Sequence, residues 1–170
     1  FRSGAGMLRA VTEESNRLPF LMKLPEAMLT LYREGDPLPG KALEDALKWA
    51  DLVLAGPGIG TSSTARDLVS RLLRDSSVPV VLDADALNLI AQEPVLLKQA
   101  KIPTAVTPHL GEMARLTGKS ISALKENLPA AAADFAESFH TVCVLKDART
   151  DVASPEGAVF INSSGCSALA

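Results

Sequence analysis

Sulfur and histidine are scarce in this sequence, with two cysteines and two histidines among 170 residues. Cys143 lies in an apolar strand pattern and Cys166 near the end, so they build neither a disulfide framework nor a metal-ligand cluster. His109 has no histidine or cysteine at ligand spacing, which argues against zinc. No apolar run reaches the roughly 18 residues that cross a bilayer, and no charged–apolar–small leader opens the sequence. The net charge is −3 with both signs interspersed, so there is no nucleic-acid footprint. Internal repeats, low-complexity tracts and linkers between separate cores are missing too. The expectation is a cytoplasmic protein with no membrane and no nucleic acid among its partners.

What is present suits one globular domain over residues 1–170. A chain that is 47% hydrophobic and 22% charged is long enough at this length to bury a real core. Residues 51–62 read DLVLAGPGIGTS. Leu52–Ala55 is a short buried strand, Gly56, Gly58 and Gly60 break it, and Ser63–Asp75 continues as a helix. Glycines at alternate positions let the backbone turn sharply and let a ligand approach the main chain. The helix start presents unpaired N–H groups, which favour an anion. A tight turn that binds nothing fits the same residues.

Along the chain, Met7–Thr12 and Ala27–Tyr32 read as strands around a Glu13–Leu24 helix. Arg33–Gly40 is a surface loop and Lys41–Ala50 a helix. Val78–Leu82 is apolar enough for a strand buried on both faces. Glu93–Lys101 is a short helix, Thr104–Thr107 a strand and Glu112–Thr117 a helix. Ser120 or Ser122 is the expected cap of a long helix ending near His140, with Pro129 as a break or kink. His140 sits at that helix end and carries no chemistry. Thr141–Leu145 is a strand, and residues 151–162 form a hairpin around Ser154–Gly157. Strands alternating with helices predict a mostly parallel sheet with helices on both faces. The chain opens at Phe1 without methionine and stops after a Gly/Ser-rich loop, so the expectation is an internal piece of a larger domain.

Four loops leave the carboxyl ends of the predicted parallel strands: Gly56–Gly60, Asp83–Asn88, Pro108–Glu112 and Lys146–Thr150. Ligands bind at that edge of open α/β sheets. Asp83 and Asp85 could hold Mg²⁺-bound water, accept from a ligand hydroxyl or act as a base, or one or both could cap the Ala86–Ile90 helix. His109 is a ligand contact or an ordinary surface residue. Lys146 and Arg149 suit phosphate contacts, or belong to a solvated turn.

Five stretches in this order are similar to one known family: AGPGIG at 55–60, LDADALN at 82–88, TPHLGE at 107–112, LKDART at 145–150 and NSSG at 162–165. They resemble the ADP- or ATP-dependent NAD(P)H-hydrate dehydratases of the ribokinase-like superfamily, and RSGAG at 2–6 resembles the end of that family's first long helix. The resemblance covers essentially the whole chain. It implies a three-layer α/β/α fold and a metabolite-repair reaction: a hydroxyl on hydrated NADH or NADPH is phosphorylated, and phosphate then leaves. It implies ADP or ATP with Mg²⁺ as cofactors, the hydrated dinucleotide and adenine nucleotide as partners, and a homo-oligomer. Gly58, Gly60 and His109 would lie against the hydrated dinucleotide. Lys146, Asp147, Ala148, Arg149 and Thr150 would bind the nucleotide. Asp85, Asn88, Glu112 and Asn162 would be polar supports, with Asp85 and Glu112 the candidates for a link to Mg²⁺.

Two departures from the family stand out. Asp147 replaces the usual glycine and adds negative charge beside the nucleotide. The family's expected catalytic aspartate follows a further glycine-rich anion hole beyond Ala170, and a first strand with its glycine loop belongs before Phe1. No catalytic residue is therefore assigned within the chain, and these residues alone are expected to be inactive. A ribokinase-like kinase acting on a thiamine-pathway alcohol or a sugar, or a non-catalytic nucleotide-binding module, would share parts of the pattern.

Overall fold

The structure is a computed structural model that describes residues 4–164. It contains eight strands: β1 (Arg9–Glu13), β2 (Met28–Tyr32), β3 (Val53–Ala55), β4 (Val80–Leu82), β5 (Thr104–Val106), β6 (Val142–Lys146), β7 (Thr150–Ala153) and β8 (Val159–Asn162). Between them run α1 (Arg17–Lys23), α2 (Gly40–Trp49), α3 (Ser63–Asp75), α4 (Asp85–Gln92), α5 (Leu110–Thr117), α6 (Ile121–Glu126) and α7 (Leu128–Phe139).

The main sheet has the order β3-β4-β5-β6-β7-β8. Its first four strands are parallel, and β7 and β8 are added antiparallel as a hairpin. Each step from β3 to β6 moves one strand in the same direction, so right-handed crossovers put α3, α4 and α5–α7 on one face. The neighbours α3–α4 and α4–α5 pack against each other accordingly. The register places Ala55, Leu82, Val106 and Cys143 in one row beneath these helices, and all four are buried. The opposite row, Leu54, Val81, Ala105 and Val142, is half-buried or exposed.

That pattern corrects the expectation for Val78–Leu82. Val80 and Leu82 are fully buried, but Val81 is only half-buried, because it points away from the crossover helices. β1 and β2 form as expected, yet they pair with each other in a separate two-stranded parallel sheet. Alternation of strands and helices specifies parallel crossovers and is silent about which sheet each strand joins.

The helices follow local chemistry. Ser62 caps α3 by accepting the Ala65 N–H at 3.1 Å, and Ala65, Leu68, Val69, Leu72 and Leu73 form its buried stripe. The long helix expected from Ser120 to His140 is two helices. Ser120 caps α6, and Asn127 then accepts the Ala130 N–H to start α7. Pro129 falls in the first turn of α7, where its missing N–H breaks no helical bond, so it starts a helix instead of kinking one. His140 closes α7 in the left-handed region at φ 51°. The Glu93–Lys101 helix is a 3-10 helix over Pro94–Gln99, and Glu13–Leu24 divides into a 3-10 turn and α1.

Candidate functional site

The four loops meet at the carboxyl edge of the parallel strands. A parallel bridge pairs His109 with Lys146, and the Lys146 N–H donates to the Pro108 carbonyl at 2.8 Å. Gly60 N–H donates to Asp85 Oδ2 at 3.0 Å, joining the first loop to the second. Lys146 Nζ lies 2.9 Å from Asp83 Oδ1, joining the second to the fourth. Gly58 and His109 therefore share one edge of the sheet.

The three glycines of the first loop differ in purpose. Gly56 has φ 126°, and a Cβ built there would lie 1.6 Å from the Asp83 carbonyl oxygen. It serves the close approach of two strand ends. Gly58 and Gly60 have φ near 70°, and nothing lies within 4 Å of a Cβ built on either. Their bare backbone faces open space, where a ligand can reach it.

Neither aspartate caps α4. The helix begins after Ala84, which holds φ 50° and ψ −120° and makes no side-chain cap. This turn sends Asp83 toward Lys146 and Asp85 toward Gly60, so the expected capping is corrected to two inter-loop ties. Burial alone would raise the Asp83 carboxyl. Hydrogen bonds from Lys146 and Thr107, with the Lys146 charge, outweigh it and hold Asp83 below its ordinary range.

His109 is the N-cap of α5, which starts at Leu110, before the expected Glu112. Its Nδ1 accepts the N–H groups of Gly111 at 2.9 Å and Glu112 at 3.3 Å, while Glu112 Oε2 accepts the His109 N–H at 2.9 Å. An Nδ1 that accepts must be unprotonated, so in the neutral ring the proton sits on Nε2, 3.3 Å from Glu112 Oε1. Glu112 is buried and the imidazole is half exposed. Gly111 is bare for the same reason: a Cβ there would come within 2.8 Å of His109 Cε1.

The fourth loop is the β6–β7 turn. Lys146 pairs with Thr150 and Thr150 with Asn162, which brings Asn162 beside the β6–β7 turn. Asn162 Oδ1 accepts the Ser164 N–H at 3.0 Å. Gly165 and Cys166 lie outside the described residues. Asp147, Ala148 and Arg149 are exposed at the tip.

Sequence reasoning missed Asp151 and Arg115. Asp151 is 3% exposed on β7, two residues from Arg149. Burial pushes its carboxyl up, the Arg149 cation opposes the shift and Asp147 reinforces it. A carboxyl raised in the folded state favours folding most below its unfolded pKa, and stability falls as pH rises through the folded value. Asp151→Asn should therefore raise Tm at pH 7 by a few degrees, equivalent to about 1 kcal/mol, with the gain fading toward pH 4. Thermal melts across that range check it, and a variant less stable at pH 7 would mean that the charge is stabilised in place. Arg115 donates from Nε to Asn88 Oδ1 at 2.9 Å across the α4–α5 seam. Its one signal in the sequence is the four-residue spacing from Gly111.

Among the described residues no three His, Cys, Asp or Glu side chains gather to hold a metal ion. Mg²⁺ carried on nucleotide phosphates keeps several waters and needs one or two carboxylates at most. Asp85 and Glu112 are the candidates, and each already accepts a backbone N–H. A cavity of about 700 Å³ lies elsewhere, at the amino ends of β5 and β6, lined by Lys98, Thr104, Phe139, His140 and Val142. It shares none of the four loops.

The family model described as NAD(P)H-hydrate dehydratase matches residues 1–170. The ADP-dependent (S)-NAD(P)H-hydrate dehydratase of Lactiplantibacillus plantarum is 35% identical over 170 residues, covering 99% of this chain and 57% of that protein. The crystal structure of the ADP/ATP-dependent NAD(P)H-hydrate dehydratase of Bacillus subtilis, co-crystallized with ATP/Mg²⁺, superposes with a TM-score of 0.77 at 28% identity. That match covers 99% of this chain and 57% of the other. A ribokinase-like superfamily protein of Enterococcus faecalis reaches 0.80 at 27% identity, covering 96% and 55%. The chain thus spans little more than half of these proteins, and 32% of bifunctional relatives that also match. The fold is ribokinase-like α/β with a mostly parallel central sheet, as the sequence predicted.

Proposed function

This chain belongs to the NAD(P)H-hydrate dehydratase family, and from that premise we propose that its four-loop edge binds hydrated NADH or NADPH beside an adenine nucleotide. The reaction is nucleotide-dependent dehydration. The added ring hydroxyl takes a phosphoryl group from ADP or ATP and releases its proton. The phosphate then departs with its bonding electrons as a neighbouring ring carbon loses a proton, which restores the dihydropyridine. Phosphorylation turns a poor leaving group into a good one, and the protein contributes positioning and charge stabilisation.

One observation carries this reading. The His109–Lys146 bridge sets the open-glycine and histidine side of the edge directly against the cationic β6–β7 turn. Two ligands placed on these halves meet at the bridge. Gly58, Gly60 and His109 face the dinucleotide, and Lys146–Thr150 faces the nucleotide, with Asn162 beside Thr150. Asp85 and Glu112 orient the first group through Gly60 and His109, and Asn88 accepts from Arg115 across the neighbouring α4–α5 seam. Mg²⁺, when bound with the nucleotide, neutralises phosphate charge. Under the same proposal the protein works in the cytoplasm as a homo-oligomer.

The test supplies the full-length protein with hydrated NADH, Mg²⁺ and ADP or ATP. Absorbance of the reduced nicotinamide should return only when nucleotide is present. Nucleotide consumption with a thiamine-pathway alcohol or a sugar, and none with the hydrated cofactor, would replace this reading with a small-molecule kinase. Nucleotide binding without any turnover would leave a binding module.

A further inference from the structure

We propose that the cavity at the amino ends of β5 and β6 is a second ligand site, one that takes a small organic anion with an apolar body. It is independent of the reaction proposed above. Its volume of about 700 Å³ lies within the roughly 300–1,000 Å³ of pockets that hold small molecules. β5 and β6 run three and five residues from this cavity toward the four loops, so roughly 10–17 Å of strand separates the two places. A molecule held here touches neither the glycine loop nor the β6–β7 turn.

The walls set the chemistry of the occupant. Phe139, Ile102 and Val142 supply apolar surface, and Lys98 and Lys101 stand beside it. Lys98 Nζ lies 5.6 Å from the centroid of the Phe139 ring, and that ring also packs against Phe135 with centroids 4.7 Å apart. The ammonium group is thus positioned by a fixed aromatic face and not by a counter-ion. Among the described residues no carboxylate lies within 4 Å of Lys98 or Lys101. Glu156 is the one carboxylate on the wall, so the two lysines outnumber it. His140 completes the lining. It holds φ 51° at the end of α7, where glycine is the ordinary choice, and so keeps an imidazole at the cavity. A carboxylate or sulfonate on an acyl or aromatic body matches these walls. The body leaves water against the apolar side chains, and the charge meets ammonium groups that have no other partner.

The experiment titrates anilinonaphthalene sulfonate, an aromatic sulfonate that fluoresces on leaving water, into the full-length protein with and without saturating ADP. The probe should bind saturably, with the same Kd in both titrations and weaker binding at high salt. Octanoate should displace it, and octylammonium should not. Lys98→Glu combined with Lys101→Glu should weaken the probe roughly tenfold or more. Should that pair fail to fold, Lys98→Gln with Lys101→Gln gives the same reading through a smaller loss. His140→Gly separates binding from folding: it relieves the left-handed strain, so Tm should hold or rise while probe affinity falls about threefold. Displacement of the probe by ADP would overturn the proposal by placing it at the four-loop edge. Binding that does not saturate, equal competition by octylammonium, or unchanged affinity in the folded lysine variant would overturn it as well, leaving adhesion to an apolar surface only.

Discussion

Gly56→Ala should cost the fold about 3–5 kcal/mol, a large part of the roughly 5–15 kcal/mol that holds a domain of this size together. Two independent effects add. At φ 126° the backbone is in a region that residues with a Cβ rarely adopt. The new methyl would also lie 1.6 Å from the Asp83 carbonyl oxygen, and that atom belongs to backbone that cannot rotate away. The ends of β3 and β4 would have to part, taking with them the 3.0 Å bond from Asp83 N–H to the Ala55 carbonyl. Gly58→Ala and Gly60→Ala meet only the conformational term, about 1–2 kcal/mol each, because nothing lies within 4 Å of their added carbons. Urea unfolding of the three variants checks the ranking. If Gly56→Ala were no less stable than Gly60→Ala, the close approach of the two strand ends would not be a feature of the folded protein.

The same loop shows what was legible in the sequence and what was not. Apolar runs bounded by Gly, Pro and Asp gave the strands of the main sheet, because burial under the crossover helices selects for them. The convergence of four loops followed from parallel strands alone. The purpose of each glycine did not, since Gly56 answers to a carbonyl 27 residues away. The role of His109 was hidden for a different reason. Histidine is not among the usual capping residues, and only the placement of Nδ1 over two N–H groups reveals it. The Asp83–Ala84–Asp85 run looked like a helix cap, but the positive φ of Ala84 turns both carboxylates toward other loops. Arg115 and Asn88 lie 27 residues apart and meet only through the packing of α4 on α5. Long-range pairs of this sort leave no local trace, whereas caps and strands do.

Lys146→Met combined with Thr150→Val should weaken ADP binding roughly 10- to 100-fold while changing stability by about 1 kcal/mol or less. The small stability term follows from exposure: the Lys146 side chain is 42% accessible and that of Asp83 30%, so solvent screens their 2.9 Å contact. The affinity term is larger because a cation and a hydroxyl at one strand end would both lose contact with nucleotide phosphate. The pH dependence separates the roles further. Asp83 is held below its ordinary range, so its pairing stabilises the fold fully above about pH 4 and is lost as pH falls through the folded pKa. Removing Lys146 should flatten that acid limb, with the Thr107 hydrogen bond keeping part of it. Asp83→Asn is the companion variant: it releases the ammonium group without removing it, and ADP affinity should hold or rise. Calorimetry with ADP and acid melts of the variants give the answer together. Unchanged ADP affinity in the Lys146/Thr150 variant would make this turn an ordinary solvated strand end. An equal loss of affinity in Asp83→Asn would show that the ion pair shapes the loop and that the lysine does not meet the nucleotide itself.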